Sequence, residues 1–265
     1  MTYQHLDVSI DGAVASVTLN RPARLNALNP LMVQELNAFF GGLSARSAAR
    51  VVILRGSGRA FCAGLDLKEM QENGARKGVS EMLEVQKNVR DIMIAMRRCP
   101  QPVISIMQGA ASGGGFALAL ASDIRLATPD ARMNAAFIRI GLSACDVGVS
   151  YFLPRMVGAS VAAEYLLTGR FIDAQRALAL GLVSWVGPVE QLEAEARALA
   201  HDMLGATPLG LRLTKEALGL AIDAGSMEAV IAMEDRNQVL CTQGEDFAEG
   251  IAAFLEKRPP RYGGR

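Results

Sequence analysis

The first 130 residues alternate between strand-like and helix-like hydrophobic patterns. In residues 6–20 (LDVSIDGAVASVTLN), apolar positions alternate on both sides of Asp11-Gly12, a turn dipeptide. This pattern predicts a β-hairpin. The runs VVILRG (51–56) and PVISIM (102–107) are continuously apolar. Such runs are typical of strands covered on both faces.

Helical periodicity separates these strands. It covers residues 30–43, with Pro30 at the start, then 71–98 and the small-residue segment 113–121. DIRLAT (123–128) predicts a third buried strand, and LVSWV (182–186) is the last strand signal. The remainder is helical in pattern. We therefore expect an α/β fold built on repeated strand–helix units, followed by a helical C-terminal region.

Composition and charge narrow the function classes. The 265 residues are 51% hydrophobic and 20% charged, which predicts a folded chain with a large core. Lys+Arg 27 balance Asp+Glu 27, so nucleic acid and anionic membranes are not expected as partners. The N-terminus has no apolar signal segment, and the four cysteines form no CxxC pair. A reducing cytoplasmic location without disulfides or zinc is expected.

Several common chemistries lack their motifs. Neither GxGxxG nor GxxxxGK[ST] occurs, which disfavours a dinucleotide or phosphate loop. The histidines, His5 and His201, do not lie where either would activate a serine, and no His/Cys pair has metal-ligand spacing. We expect no metal site.

Two glycine-lined turns remain, at 56–70 (GSGRAFCAGLDLKEM) and 108–123 (QGAASGGGFALALASD). Each follows a predicted strand, and small residues there let backbone N–H groups approach a ligand. Two converging N–H groups could hold a carbonyl oxygen that becomes an oxyanion, each contributing ~3 kcal/mol. The alternative is that the small residues only allow tight strand–helix packing.

Five segments together resemble the crotonase (enoyl-CoA hydratase/isomerase) family in its order and spacing. They are RPARLNAL (21–28), RAFCAGLDLKEM (59–70), GAASGGGFALALASD (109–123), LTGRFIDAQRALALGLVSWV (167–186) and EDFAEGIAAFLEKR (245–258). The resemblance implies a crotonase-like spiral of ββα units over residues 1–200. It also implies that helical residues 201–265 serve trimerisation and closure of the CoA site. The expected assembly is a trimer or a dimer of trimers.

The resemblance also implies an acyl-CoA thioester as substrate, with no cofactor apart from the coenzyme A that the substrate carries. An oxyanion hole is expected from the N–H groups of Ala63 and Gly114. The acyl-CoA is expected to lie over Ala63, Gly64, Leu65 and Asp66. For Asp66 the alternative is a cap on the helix that begins at LKEMQ.

Three more substrate contacts follow from family position alone. Arg24 is expected to meet the CoA phosphates, and Phe254 and Lys257 the adenine end, from the same or a neighbouring subunit. For Arg24 and Lys257 the alternative is a solvated surface charge. Four methionines lie in the predicted helix 71–98 or directly before it: Met70, Met82, Met93 and Met96. We expect them either to line the acyl pocket or to join the core.

One departure from the family pattern decides the expected chemistry. Hydratases of the family carry two glutamates where this chain has Ala117 and Phe137. Asp146 instead resembles in position the aspartate of dienoyl-CoA isomerases and of 4-chlorobenzoyl-CoA dehalogenase. No other charged residue occurs from 141 to 154, so a raised pKa is expected for Asp146. The alternative is an N-cap for the helix beginning near Val149.

These observations favour an enoyl-CoA or dienoyl-CoA double-bond isomerase in which Asp146 moves the proton. Hydration by Asp146 alone is the first alternative. Acyl-CoA hydrolysis with Asp146 as nucleophile is less favoured, because both histidines are distant in sequence. A non-catalytic acyl-CoA-binding paralogue is the remaining alternative. The acyl chain, the pathway and the choice between trimer and hexamer stay open.

Overall fold

Two sheets joined by strand–strand–helix units form the framework of the chain. The structure, a computed structural model, describes residues 3–72 and 78–263. Its strands are β1 (Leu6–Asp11), β2 (Val14–Leu19), β3 (Val51–Gly56), β4 (Val103–Met107), β5 (Ala110–Ser112), β6 (Ile124–Ala127), β7 (Arg132–Asn134), β8 (Ile172–Asp173) and β9 (Trp185–Val186).

The helices begin between the strands and take over after β9. They are α1 (Pro30–Gly42), α2 (Leu67–Glu72), α3 (Val79–Arg98), α4 (Gly114–Ala121), α5 (Val149–Val157), α6 (Ala159–Thr168), α7 (Ala174–Ala179), α8 (Val189–Leu204), α9 (Pro208–Ala221), α10 (Met227–Thr242) and α11 (Glu245–Glu256). Short 3-10 turns lie at Pro22–Arg24 and Ala136–Ile140.

The large sheet has the strand order β1-β2-β3-β4-β6-β9. β1 and β2 form the predicted hairpin, with Asp11 opposite Val14 and Gly12 in the turn at a φ of +57°. All later neighbours in this sheet pair in parallel. Parallel pairing requires a crossover between strands, which the intervening helices provide.

A small sheet of order β5-β7-β8 lies beside the large one. The chain passes from β4 to β5 and then into α4, and from β6 to β7 and then into a 3-10 turn. This is the expected crotonase-like repetition of ββα units. The short strands of the small sheet were missed by the sequence reasoning: Ala110–Ser112 was assigned to a turn, and no strand was expected at Ile172–Asp173.

Both faces of the large sheet are covered, which explains the continuously apolar strands. On one face Val52 and Leu54 of β3 join the core formed with α1, α3 and α4. On the other face Val51 and Ile53 pack with α8, which contributes Leu192 and two alanines. Alternate residues of β3 therefore face two different cores.

The prediction of one continuous helix over residues 71–98 is wrong at its N-terminal end. Helix α2 ends at Glu72 and α3 begins at Val79; residues 73–77 lie outside the described residues. Because Cys99 precedes Pro100, α3 ends where the sequence predicted. Within the described ranges, no helix combines the length and apolar character needed to cross a membrane.

Lys215 anchors the C-terminal helices to the core. Its side chain on α9 is 6% exposed, and its Nζ donates to the carbonyl oxygens of Met96 at 2.9 Å and Gln101 at 2.7 Å. The ammonium group also lies 2.9 Å from the carboxylate of Asp123. A buried ammonium is tolerated because hydrogen bonds and an opposite charge replace its water.

Replacing Lys215 with Met should therefore destabilise the protein by about 3 kcal/mol, because two carbonyls and a carboxylate lose their shared donor. Urea unfolding of Lys215→Met beside Lys87→Met measures this. Lys87 is the matched control, since its ion pair with Glu84 is at the surface. Equal stability of the two variants would contradict an anchoring role.

Candidate active site

The two glycine-lined segments lie directly against each other. Cys62 and Ala111 form a β-bridge, so the chain after β3 runs beside the small sheet. A Cβ added to Gly115 would lie 2.0 Å from the Cys62 carbonyl oxygen, and one added to Gly64 would lie 2.8 Å from that of Ser112. Gly64 also has a φ of +94°. The contact is therefore backbone to backbone, and glycine is required on both sides.

On the two sides of this contact, the backbone N–H groups of Leu65 and Gly114 have no acceptor among the described residues, and the same holds for Gly115 in the first turn of α4. Gly114 opens α4, where the first N–H groups have no intrahelical partner. Both neighbours of Leu65 form hydrogen bonds with Leu28. The Gly64 carbonyl oxygen accepts from the Leu28 N–H, and the Asp66 N–H donates to the Leu28 carbonyl oxygen. Because successive N–H groups of an extended segment alternate in direction, the Leu65 N–H points away from Leu28.

The expected donor Ala63 is corrected by its hydrogen bond. The Ala63 N–H donates to the Leu25 carbonyl oxygen at 3.0 Å and is not free for a ligand. Leu25 reaches this position because it adopts a left-handed conformation, with a φ of +51°, after the turn at Pro22–Arg24. The pair of free N–H groups beside Gly64 is thus that of Leu65 and Gly114.

Asp66 is a capping and ion-pairing residue, as its alternative interpretation predicted. Its carboxylate accepts the Glu69 N–H at 3.1 Å and lies 3.0 Å from the Arg21 guanidinium. Burial opposes its charge, but the Glu69 N–H and Arg21 outweigh it and lower the pKa of Asp66. Its side chain is 5% exposed. The expectation that the acyl-CoA lies over residues 63–66 stays a prediction.

The other predicted CoA contacts lie at the surface. Arg24 is exposed, with a guanidinium nitrogen 3.8 Å from the Glu72 carboxylate. Phe254, at the end of α11, is 83% exposed, and Lys257 ends that helix in a left-handed conformation. None of the contacts found for the described residues joins Phe254 or Lys257 to the Gly64 segment. Their roles, and that of Arg24, stay predictions.

Asp146 lies in the loop between the 3-10 turn Ala136–Ile140 and α5. Its Oδ1 accepts hydrogen bonds from Nε2 of Gln86 and, at 2.8 Å, from the N–H of Val147. The N-cap of α5 is Gly148, without a side-chain cap, so the capping interpretation of Asp146 is wrong. Burial raises the pKa of Asp146, while the two hydrogen bonds reduce that rise.

The backbone beside Asp146 is strained. Val147 has a φ of +39° and is followed by Gly148 at +92°. A β-branched residue in the left-handed region costs on the order of 1–3 kcal/mol and persists only where packing enforces it. Val147 is buried in the core cluster, which holds the loop in this conformation.

Apolar groups occupy the positions where the family's hydratases carry glutamates. Ala117 is fully buried in α4, and Phe137 is buried in the 3-10 turn. A Cβ on Gly113 would lie 3.4 Å from Cε1 of the Phe137 ring, which places the ring against the start of α4. Neither residue can carry a proton.

A cavity of about 1120 Å³ opens between α3, α5 and α9. Gln86, Val147 and Gly148 line it, so one wall adjoins Asp146, but residues 63–66 and Gly114 do not line it. Of the methionines considered from the sequence, Met93 lines this cavity, Met96 is core, and Met70 and Met82 are exposed. Met82 is exposed while Met93 and Met96 are buried because α3 is amphipathic.

Comparison with known proteins identifies the family of the chain. The chain matches the Enoyl-CoA hydratase/isomerase family over residues 9–265. The chain belongs to the enoyl-CoA hydratase/isomerase family. It is 39% identical over 255 residues to the "Probable enoyl-CoA hydratase echA12" of Mycobacterium bovis, covering 94% of this chain and 89% of that protein.

Further enoyl-CoA hydratase/isomerase relatives differ in their named activity. The 1,2-epoxyphenylacetyl-CoA isomerase of Escherichia coli is 31% identical over 256 residues, covering 97% of each chain. The crystal structure of an enoyl-CoA hydratase from Bacillus anthracis superimposes with a TM-score of 0.92 at 34% identity, covering 99% of this chain and 100% of that one. Membership in the family therefore leaves open whether the chain hydrates or isomerises.

Two features of this family member's site escaped the sequence reasoning. Gln86 lies sixty residues before Asp146 and carries no motif, so no local signal could pair them. The sequence reasoning also chose Ala63 rather than Leu65 as the residue with a free N–H. The sequence does not show that the Leu25 carbonyl oxygen accepts a hydrogen bond from the Ala63 N–H.

Gly64→Ala should lower the free energy of unfolding by about 2 kcal/mol, because a Cβ there meets the Ser112 carbonyl in a left-handed backbone. Urea denaturation measures this loss. Gly41→Ala is the matched control: it lies in α1 with open space around its Cα. A Gly64→Ala protein as stable as Gly41→Ala would refute the close approach.

Proposed function

We propose that the protein is an acyl-CoA double-bond isomerase that uses Asp146 as its single acid–base group. Its substrate is a 3-enoyl-CoA or dienoyl-CoA thioester, and no cofactor is needed beyond the coenzyme A of the substrate. The observation that carries the proposal is the half-buried Asp146 carboxyl, which the Gln86 amide and the Val147 N–H hold by hydrogen bonds, in a chain with buried Ala117 and Phe137 at the positions of the paired glutamates. Burial also raises the pKa of this carboxyl.

The thioester carbonyl oxygen would bind to the Leu65 and Gly114 N–H groups. Asp146 removes a proton from C2, and the electrons move through the thioester to give a dienolate whose oxygen these N–H groups stabilise. The protonated carboxyl then returns the proton to C4, which leaves the double bond between C2 and C3. The acyl chain would extend past Asp146 into the cavity beside Val147.

One carboxyl suffices for this reaction because it gives back the proton that it takes. Hydration is more demanding, since water must be activated for attack at C3 while a proton is delivered at C2. The buried Ala117 and Phe137 offer neither function. A carboxyl whose pKa burial has raised is also a better proton acceptor for a weakly acidic C–H bond.

Hydration by Asp146 alone is the second candidate, because relatives of the chain carry hydratase names. The two reactions differ in product. Isomerisation converts a 3-enoyl-CoA into a 2-enoyl-CoA of the same mass, and hydration adds one water to a 2-enoyl-CoA.

Asp146→Asn should lower the isomerisation rate at least about a hundredfold, which is the usual contribution of a general acid–base group. The assay supplies a 3-enoyl-CoA and, separately, a 2-enoyl-CoA, and mass spectrometry identifies the products. Asp7→Asn, an exposed carboxyl on β1, is the matched control and should react like the wild type. A wild-type protein that yields 3-hydroxyacyl-CoA and no isomerised product would sink the proposal.

We propose that the protein self-associates through its C-terminal helices as a trimer or dimer of trimers. Large apolar side chains are exposed on α9 to α11; the most exposed are Leu218, Met227, Phe254 and Leu255. Exposed apolar residues in such number are typical of an interface. Sedimentation equilibrium should give three or six times the chain mass of 28.2 kDa. A monomeric mass at micromolar concentration is the contrary result.

A further inference from the structure

The two oxygens of the Asp146 carboxyl have different surroundings. Both hydrogen bonds, from the Gln86 amide and the Val147 N–H, go to Oδ1. Oδ2 receives none from the described residues, yet it is not among the buried polar atoms without a partner. Oδ2 is therefore exposed to solvent and not occupied by a described residue. Fixing one oxygen fixes the direction of the other, because the carboxyl group is planar.

Gln86 can hold Oδ1 in place because its helix is rigidly packed. Val89, Ile92 and Met96 on α3 are buried in the core cluster. The C-terminal end of the same helix is fixed by Lys215, which bonds the Met96 carbonyl oxygen. The Gln86 amide thus extends from a fixed helix to the Asp146 loop, where the Val147 N–H supplies the second donor to Oδ1.

We propose that Gln86 is the positioning residue of Asp146: its amide engages Oδ1, so that Oδ2 is the oxygen that takes the proton from C2 and returns it to C4. This inference rests on the proposed isomerase function and deepens it. Gln86 acts through Asp146 and does not itself exchange a proton with the substrate.

No charged group among the described residues competes with this hydrogen bond for control of Asp146. The charged residues that line the adjoining cavity are Arg90, Arg97 and Arg98 on α3, Arg155 on α5, and Arg212, Lys215 and Glu216 on α9. Arg97 and Lys215 both pair with Asp123. Arg90 pairs with Asp91, and Arg155 pairs with Asp223. Asp146 forms no ion pair with a described residue, so burial and two hydrogen-bond donors govern its charge.

The sign of the expected pH effect follows from these donors. Burial raises the pKa of Asp146, and the donors to Oδ1 lower it because they stabilise the ionised form. Removing the Gln86 donor should raise the pKa further. Since isomerisation begins with the ionised carboxylate, the acid limb of the profile of kcat/KM against pH should move to higher pH.

The test compares Gln86→Met, which keeps side-chain length but has no donor, with wild type. We expect the acid limb to move up by about one pH unit, since a hydrogen bond to a charged group is lost. At the pH plateau, kcat should fall about tenfold through misorientation of Oδ2. KM should change less than kcat does, because no side-chain hydrogen bond of Gln86 to a described residue reaches the segments proposed to bind CoA. Asn88→Met, on the exposed side of α3, is the matched control.

A second measurement reports on Asp146 without turnover. Carboxyl carbon-13 titration of aspartate-labelled protein, with Asp146→Asn used to assign the signal, gives the pKa directly in each variant. The inference would be overturned if Gln86→Met had the same Asp146 pKa, and the same acid limb of kcat/KM against pH, as the wild type. If Gln86→Met does not fold, Gln86→Asn, whose amide is one methylene short of Oδ1, is subjected to the same two measurements.

Failure of this inference and failure of the proposed function are distinguishable. If Asp146→Asn isomerises as fast as wild type, the single-carboxylate mechanism is wrong and Gln86 has no catalytic partner. If Asp146→Asn is inactive while Gln86→Met keeps the wild-type acid limb, only the positioning role is wrong. An unshifted Asn88→Met beside a shifted Gln86→Met supports the proposal.

Discussion

The site depends on the contact between two backbone segments that only glycine permits. Gly64 and Gly115 bring the chain after β3 against the start of α4, within distances that a Cβ would not allow. The contact leaves the N–H groups of Leu65 and Gly114 without acceptors in the described chain. Each N–H belongs to a different ββα unit, so the stacking of the units sets the geometry. Tight backbone packing and N–H groups without acceptors therefore occur together at this contact, so the packing role expected from the small residues does not exclude the proposed ligand-binding role.

The second constraint is the surroundings of Asp146. Its loop holds Val147 in a left-handed conformation, and the buried position of that residue offsets the strain. The same burial raises the pKa of the neighbouring carboxyl. Ala117 and Phe137 are both buried and apolar, so neither offers a second titratable group. The proposal of a single-carboxylate isomerase rests on this absence of a second carboxyl at those two positions.

The sequence predicted the elements whose pattern is locally strong. The hairpin, α1, β3 and β4 were confirmed near their predicted ends, because alternation, a helix-starting proline and buried apolar runs are local signals. The small sheet was missed because strands of two or three residues have no period to read. Its strands form through pairing between residues far apart in sequence, Ala110–Ser112 with Arg132–Asn134 and these with Ile172–Asp173.

The site was predictable to the level of its segments but not of its atoms. Both glycine turns and Asp146 could be found from small residues and from an isolated charge in an apolar stretch. The sequence does not show that the Leu25 carbonyl occupies the Ala63 N–H, nor that Arg21 neutralises Asp66. The pairing of Gln86 with Asp146 depends on how α3 crosses the loop before α5, which is a tertiary property.

The most direct test of the single-carboxylate account follows the proton itself. A 3-enoyl-CoA carrying deuterium at both C2 positions is converted in ordinary water under single-turnover conditions, and the position of the label in the product is determined. If Asp146 both removes and returns the proton, part of the 2-enoyl-CoA formed earliest will carry deuterium at C4. Product with only solvent hydrogen added at C4, even at the shortest times, would contradict the account.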